Sequence, residues 1–569
     1  MNAAPAAPSG PLEALADEFW QAYLRAHPTF ATAIGDRRYD AFLEDLSPEG
    51  RERRREALDG FAERARAIPD ETLSGADRVT RSALIDEADG EIALLDARLE
   101  EWTVDPLDGP QVSLFNIESF QPVGTVEQGH AMVRRWQQMP AYVDTHSENL
   151  RRGLAARRVA VRDPVERVVD QLSQLLTTPD ADWALLRPIQ VEHHDWTEGE
   201  RNRFRDDLAR TVRDGIRPAL ERYRRLLESE ILPSARPQEL AGLMHLPGGT
   251  DAYPRLIRVH TSLQRTPQQL HAVGQAEVAR VNAQMEALSA RVLGTADRAE
   301  ARLRLRTDPA LYFSTRDEVA EKAESALNRA TEAIPGWFGR LPRARCVVAR
   351  MGEHEEKHST IAYYRPPATD GSRPGQYYVN TYAPETRPRY EAEVLAYHEA
   401  IPGHHLQLAI AQELEALPEF RRHLGVTAFV EGWGLYTERL SDEMGLYSGE
   451  LDRLGLLSYD AWRACRLVVD TGMHALGWSR QQAVDFMLAN TALAENNVRN
   501  EIDRYIVWPA QALAYKTGQL EILRLRELAR DRLGERFDIR AFHDVLLGEG
   551  APGLETLDSL VRSWLERLP

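Results

Sequence analysis

The stretch Glu393-Val-Leu-Ala-Tyr-His-Glu-Ala-Ile-Pro-Gly-His-His405 gathers three histidines, and a glutamate beside the first of them, into about two helical turns. Neutral imidazoles bind zinc, and a glutamate next to a ligand histidine can take a proton from water at the metal. The familiar helical zinc motif has its second histidine four residues after the first, on the same face. Here that position is Pro402. In an undistorted helix His404 would point ~120° away from His398, and His405 would be aligned but ~10.5 Å further along. Pro402 upsets that geometry, because its ring meets the carbonyl four residues earlier, that of His398 itself, and the helix must bulge or break. Gly403 lets the backbone follow. A bulge of two residues puts His404 in the place of the second ligand, with His405 as the alternate.

Around this stretch the chain reads as helices. On the N-terminal side Leu12, Leu15, Phe19, Trp20 and Tyr23 recur at helical steps up to a break at Pro28, and further helices are expected over Arg51–Ala67, Gly75–Leu99, Val126–Leu232 with proline interruptions, Pro267–Val292 and Asp317–Ala333. Alternating charges on their outer faces read as solvated surface. Trp102–Pro122 loses the helical period and reads as a connector, and Leu246–Pro254 reads as a glycine-rich loop without the lysine of a phosphate loop. His193 and His194 lie in a polar run and read as surface histidines. From Arg345 the chemistry changes: Cys346–Ala349, Ile361–Arg365 and Gln376–Tyr382 are β-branched or aromatic runs set off by proline and glycine, hence a small sheet whose edge could pair with an extended substrate. Glu353-His-Glu-Glu-Lys-His358 has the Glu-x-x-His spacing of di-iron helices, but without a second copy it reads as a charged loop. After His405 helices follow almost to the end, at Leu406–Leu414, Pro418–Leu424, Thr427–Ser441, Tyr447–Leu476, Ser479–Asn490, Ala494–Ile506 and Ala510–Arg532. The expected fold is mainly α, with a small sheet beside the site helix. Residues 1–11 form a tail and 12–569 one large helical fold, with two lobes around a cleft as a variant of it.

The 88 acidic against 70 basic residues give a formal net charge of -18, which repels phosphate backbones and acidic membranes, so nucleic acid is not an expected partner. Cys346 and Cys465 are too few for a disulfide framework or a thiolate zinc site. The first ten residues lack the basic start and apolar run of a secretory signal, and no window reaches the ~20 apolar residues that cross a bilayer. A cytoplasmic location with no membrane partner is the expectation.

A third ligand is expected from Phe429-Val-Glu-Gly-Trp-Gly-Leu-Tyr-Thr-Glu438, where Glu431 and Glu438 share a helix face and the glycines at 432 and 434 suggest close helix packing. Glu431 is the chosen ligand. The segments HEAIPGHH (398–405), EGWGLYTE (431–438), RLVVDTGMHALGW (466–478) and RYIVWPAQALAYKTGQ (504–519) resemble the bacterial family known as domain of unknown function 885, from about Gly35 almost to the C-terminus. That family is in turn similar to the helical zinc metallopeptidases related to angiotensin-converting enzyme, thimet oligopeptidase and thermostable carboxypeptidase. The resemblance implies zinc ligation by His398 and Glu431 with Glu399 as general base. It does not transfer the second histidine, since the peptidase motif is two residues shorter, and this chain reads Trp-Pro-Ala-Gln at 508–511 where the family often has Pro-Gly-Gln.

The residues therefore predict one Zn2+ per chain, or another divalent ion, and a hydrolase of peptide or related amide bonds. Tyr505, Tyr515 and His474 are candidates for stabilising the developing oxyanion. Arg466 and Asp470, four apart, read as an ion pair, with orientation of a ligand histidine as the other role for Asp470. Asn380, Arg504 and Lys516 are candidates for holding substrate, the last two through a carboxylate. Two other readings stand beside this one: a metal-dependent tailoring hydrolase or lyase acting on a small biosynthetic intermediate, and a non-enzymatic helical binding protein.

Overall fold

The structure, a computed structural model, describes residues 10–352, 356, 360–368, 371 and 373–568; apart from Glu356, the Glu353–His358 motif lies outside the described residues. The chain is mainly α with one small sheet, as its periodicity predicts. The elements that build the site are α1 (Pro267–Val292), α2 (Arg316–Ala333), β1 (Cys346–Arg350), β2 (Ala362–Arg365), β3 (Gly375–Val379), α3 (Ala392–Glu399), α4 (His404–Gln412), α5 (Thr427–Glu443), α6 (Glu450–Ala475), α7 (Glu495–Val507) and α8 (Ala514–Leu533).

Thr266 and Thr315 cap α1 and α2 with reciprocal capping boxes, each with the acid or amide three residues on, which is why these helices begin where they do. In the sheet β3 lies in the middle, parallel to β1 and antiparallel to β2. Tyr363 and Tyr378 pair across β2 and β3 with stacked rings 4.8 Å apart, the cross-strand contact these aromatic runs favour. On the other face Tyr377 is buried against the helices.

α6 is the central helix. It is buried along nearly its whole circumference, so its charged residues must find partners inside the protein. Asp452 meets Lys322, Asp460 is ringed by Arg280, Arg439 and Lys516, Arg466 pairs with Glu501, and Asp470 accepts from the Tyr253 hydroxyl and the Ala510 N–H. The expected Arg466–Asp470 pair therefore does not form, because each has a better-placed partner on another element.

Three local expectations change. Residues 246–254 are loop only as far as Gly248, whose left-handed backbone (φ 76) turns the chain into a helix over Gly249–Thr261. A short helix, Pro110–Asn116, lies within the expected connector. His193 is buried, stacked on Trp196 with Nε2 donating to the Pro188 carbonyl, while His194 is exposed; a polar run conceals one inward-facing ring.

Candidate metal centre

The helix that begins at Ala392 stops at Glu399, residues 400–403 turn, and a second helix starts at His404. Pro402 thus produces a complete break instead of a bulge. Trp433 of α5 fixes the turn by donating its indole N–H to the Pro402 carbonyl at 3.0 Å. Gly403 is needed there for closeness, since a side chain would strike the His398 carbonyl.

Both adjacent histidines lie on α4 after the break, and the ~100° helical step between them turns the two rings apart. Nε2 of His398 and Nε2 of His404 lie 3.5 and 3.6 Å from Oε2 of Glu431, and the ligand-type atoms of the three all fall within 4.8 Å of one another. Ligands around a tetrahedral ion with bonds of ~2.0–2.1 Å would stand about 3.4 Å apart, so the three atoms are spaced as donors to one cation. His405 faces away. Its Nε2 donates to the Ala344 carbonyl at 3.0 Å and its Nδ1 accepts from the Tyr364 hydroxyl at 2.8 Å, so the ring is neutral, with burial lowering its pKa to about 4. Both nitrogens are used in holding the sheet to α4. Of the two adjacent histidines, His404 is the one that joins His398 and Glu431.

Sequence reasoning placed Glu431 and Glu438 on one face but gave a role only to the first. Oε1 of Glu438 lies 2.8 Å from Nδ1 of His398, the carboxylate–histidine arrangement that fixes which nitrogen is free to bind metal. Gly434 stands between the two acids on α5, and a Cβ there would sit 2.7 Å from Cε1 of His398. The imidazole thus lies in a trench along α5 with one acid at each end. Burial opposes charge on this ring, but Glu431 and Glu438 outweigh it and raise its pKa to about 9. Burial acts on Glu431 in the opposite sense, yet the two histidines hold its carboxyl well below the usual range. Two imidazoles and a carboxylate held in its ionised form thus meet at one point.

Glu399 follows His398 directly and is partly exposed; burial raises its carboxyl above the ordinary range against the pull of His404, His398 and Arg463. Tyr377 of β3 and Tyr459 of α6 both feel its charge. They also share the lining of a small cavity with Glu391 and Leu395. A larger cavity of about 180 Å³, beside Asp86, Glu87 and Arg421, contains none of these residues.

The remaining candidates have other attachments. His474 is buried and neutral, its pKa lowered to about 4 by burial: Nδ1 accepts from the Leu243 N–H and Nε2 donates to the Tyr505 carbonyl. The Tyr505 hydroxyl donates to Glu501 at 2.6 Å and accepts from Arg466 and Trp462. Tyr515 is partly exposed beneath the Arg466 guanidinium, 4.3 Å from its ring. Arg504 is bound to Glu501 and Gln511. Lys516 is fully buried among Asp460, Gln519 and Glu277, and Asn380 spends its amide on the Glu356 and Thr360 carbonyls and the Tyr382 N–H. Neither is available to a substrate.

The family described as "Bacterial protein of unknown function (DUF885)" matches residues 28–561. The fold is shared with the crystal structure of the "putative lipoprotein" from Colwellia psychrerythraea, with a TM-score of 0.91 at 27% identity, covering 99% of this chain and 100% of that one. It is also similar to a "putative lipoprotein of unknown function" from Shewanella oneidensis, with a TM-score of 0.76 at 17% identity, covering 97% of this chain and 100% of that one. A comparison with curated proteins returned no match.

Proposed function

We propose, from the premise that the chain belongs to the bacterial DUF885 family, that it is a zinc-dependent hydrolase of peptide or related amide bonds. The observation that carries this reading is the convergence of His398, His404 and Glu431, from three separate helices, beside a partly exposed carboxylate that is not one of the three. A divalent ion held by two imidazoles and a carboxylate supplies an acidified water and polarises a carbonyl. The resemblance to helical zinc peptidases supports the same assignment, with the histidine spacing lengthened by the break at Pro402.

The chain's own contribution follows from its geometry. Glu438 holds the Nδ1 proton of His398 and so directs the Nε2 lone pair toward Glu431. Glu399 takes a proton from the attacking water and returns it to the leaving nitrogen, a role suited to a carboxyl with a raised pKa. Tyr377 and Tyr459, which feel the charge of Glu399, are the assigned donors to the developing oxyanion, in preference to Tyr505 and His474, whose polar atoms are already committed.

Replacing Glu399 by Gln tests the reading. The variant is expected to keep one zinc per chain by elemental analysis while losing ~10²–10⁴-fold in turnover of a peptide and aryl-amide panel. Undiminished turnover would remove Glu399 as the base.

A further inference from the structure

Among the described residues, every charged side chain of α6 that faces the interior is matched by an ion-pair or hydrogen-bond partner, with one exception. Arg463 is buried, at 5% exposure, and neither its Nε nor its Nη1 has a hydrogen-bond partner among those residues. Its guanidinium lies 4.3 Å from the centre of the Tyr459 ring and 4.1 Å from that of Trp462. Two aromatic faces hold the fork in place without satisfying its donors, and stacking of this kind recovers only part of what a buried guanidinium loses in leaving water. The nearby Glu391 feels the charge of Arg463 without bonding to it: it accepts from the Ser458 hydroxyl at 3.1 Å, and burial raises its carboxyl to about 7.

The surroundings add to the imbalance. Trp462 is sandwiched, with Arg466 on its ring at 4.5 Å as well as Arg463, and Arg466 shares its single acid, Glu501, with Arg504. Among the described residues Glu501 is thus the one acid ion-paired with any of these three guanidiniums, in a chain whose net charge is -18. This wall adjoins the metal centre. Tyr459 and Trp462 pack against Val394 and Leu395 of α3, and Glu399 is within electrostatic reach of Arg463.

We propose that Arg463 is the recognition group for a carboxylate on the substrate, placed beside the amide that Glu399 and the metal-ligand set act on. The inference rests on the hydrolase reading for its choice of amide, and on the unpartnered fork for its choice of anion. A carboxylate would accept from the empty Nε and from Nη2 on the same edge of the guanidinium in a bidentate pair, which Arg makes and Lys does not. Substrates would then be N-acyl amino acids or peptides with either a free terminal or an acidic side-chain carboxylate close to the scissile bond.

Calorimetric titration distinguishes these. The probes are N-benzoylglycine, its neutral amide N-benzoylglycinamide, and the α-amide of N-acetylglutamate, each added to zinc-replete and to chelated protein. Wild-type protein is expected to bind at least one of the two acids about tenfold or more tightly than the neutral amide. The better acid tells terminal from side-chain recognition. Arg463→Gln should abolish that preference at unchanged zinc content and circular dichroism, and Arg463→Lys should keep a weakened one. Equal affinity for acids and amide, no binding of any probe, or a preference that survives Arg463→Gln would each overturn the proposal. The chelated arm separates the two readings: an acid preference there, in protein that takes up no zinc, would sustain Arg463 and discard the metal. If Arg463→Gln fails to fold, the wild-type comparison and Arg463→Lys still decide.

Discussion

At the scale of single residues, the two adjacent histidines show how much chemistry one step along a chain can separate. His404 turns its Nε2 to Glu431, whereas His405 is saturated by Tyr364 and Ala344. His404→Gln is expected to abolish zinc uptake with little change in folding, and His405→Gln to retain zinc but lower the thermal midpoint, since the sheet loses its tie to α4. Zinc content and midpoint measured on both variants check this, and the reverse pattern would exchange their roles. Glu438→Gln should weaken zinc affinity ~10–100-fold by competition with a chelating dye, the usual cost of losing a carboxylate that orients a ligand histidine. In the sequence Glu431 and Glu438 were visible as a pair on one face, but which acid meets which nitrogen depends on the position of a ring from another helix. Arg463 was not legible at all. An absence of partners is a property of the packed interior, and no spacing records it.

At the scale of elements, two glycines on α5 do different work. Gly434 clears space for the His398 ring, while Gly432 meets Gly518 where α5 crosses α8 with no side chain between them. Gly518→Ala would push a methyl into the Ala428 carbonyl and is expected to destabilise the fold by ~1–3 kcal/mol, seen as an earlier denaturation midpoint. Gly434→Ala should leave that midpoint much closer to wild type and act mainly on zinc affinity, because the obstructed group, His398, is a proposed ligand. The pattern EGWG announced close packing without saying that one glycine served a helix and the other an imidazole. Most helix limits were legible, since apolar residues recur at helical steps and proline or glycine ends them. The strand runs were legible for the same kind of reason, but the order β1-β3-β2 was not, because it is fixed by what each face packs against.

At the scale of the whole molecule, buried ionisable groups set the response to pH. His27, His146, His260, His474 and His543 are all pulled by burial to about 3 or 4. The unfolded chain binds those protons first, so their contribution is intact above about pH 6.5 and is lost as pH falls toward 4. Glu87, Glu391 and Asp470 are raised by burial to about 7, so their contribution is intact below about pH 4 and is lost as pH rises toward 7. The five histidines outweigh the three acids until close to about pH 6.5, so an optimum is expected near about pH 6, with a steep loss on the acid side, where Glu501, whose burial is outweighed by Arg504 and Arg466 so that it is held down to about 2, also loses its charge. Thermal midpoints across pH 4 to 9 check this, and Asp470→Asn, which keeps an acceptor for Tyr253, should be more stable than wild type at pH 8. The same central helix bears on how the chain reaches its fold. Asp460 is neutralised by residues 280, 439 and 516, and Asp470 is satisfied by residues 253 and 510. A partly folded chain that buried α6 before those distant segments arrived would trap bare charges in a dry interior. Docking of the helix is therefore expected to come late, and a chain cut short before Ala510 would bury Asp470 without its Ala510 donor and Asp460 without Lys516.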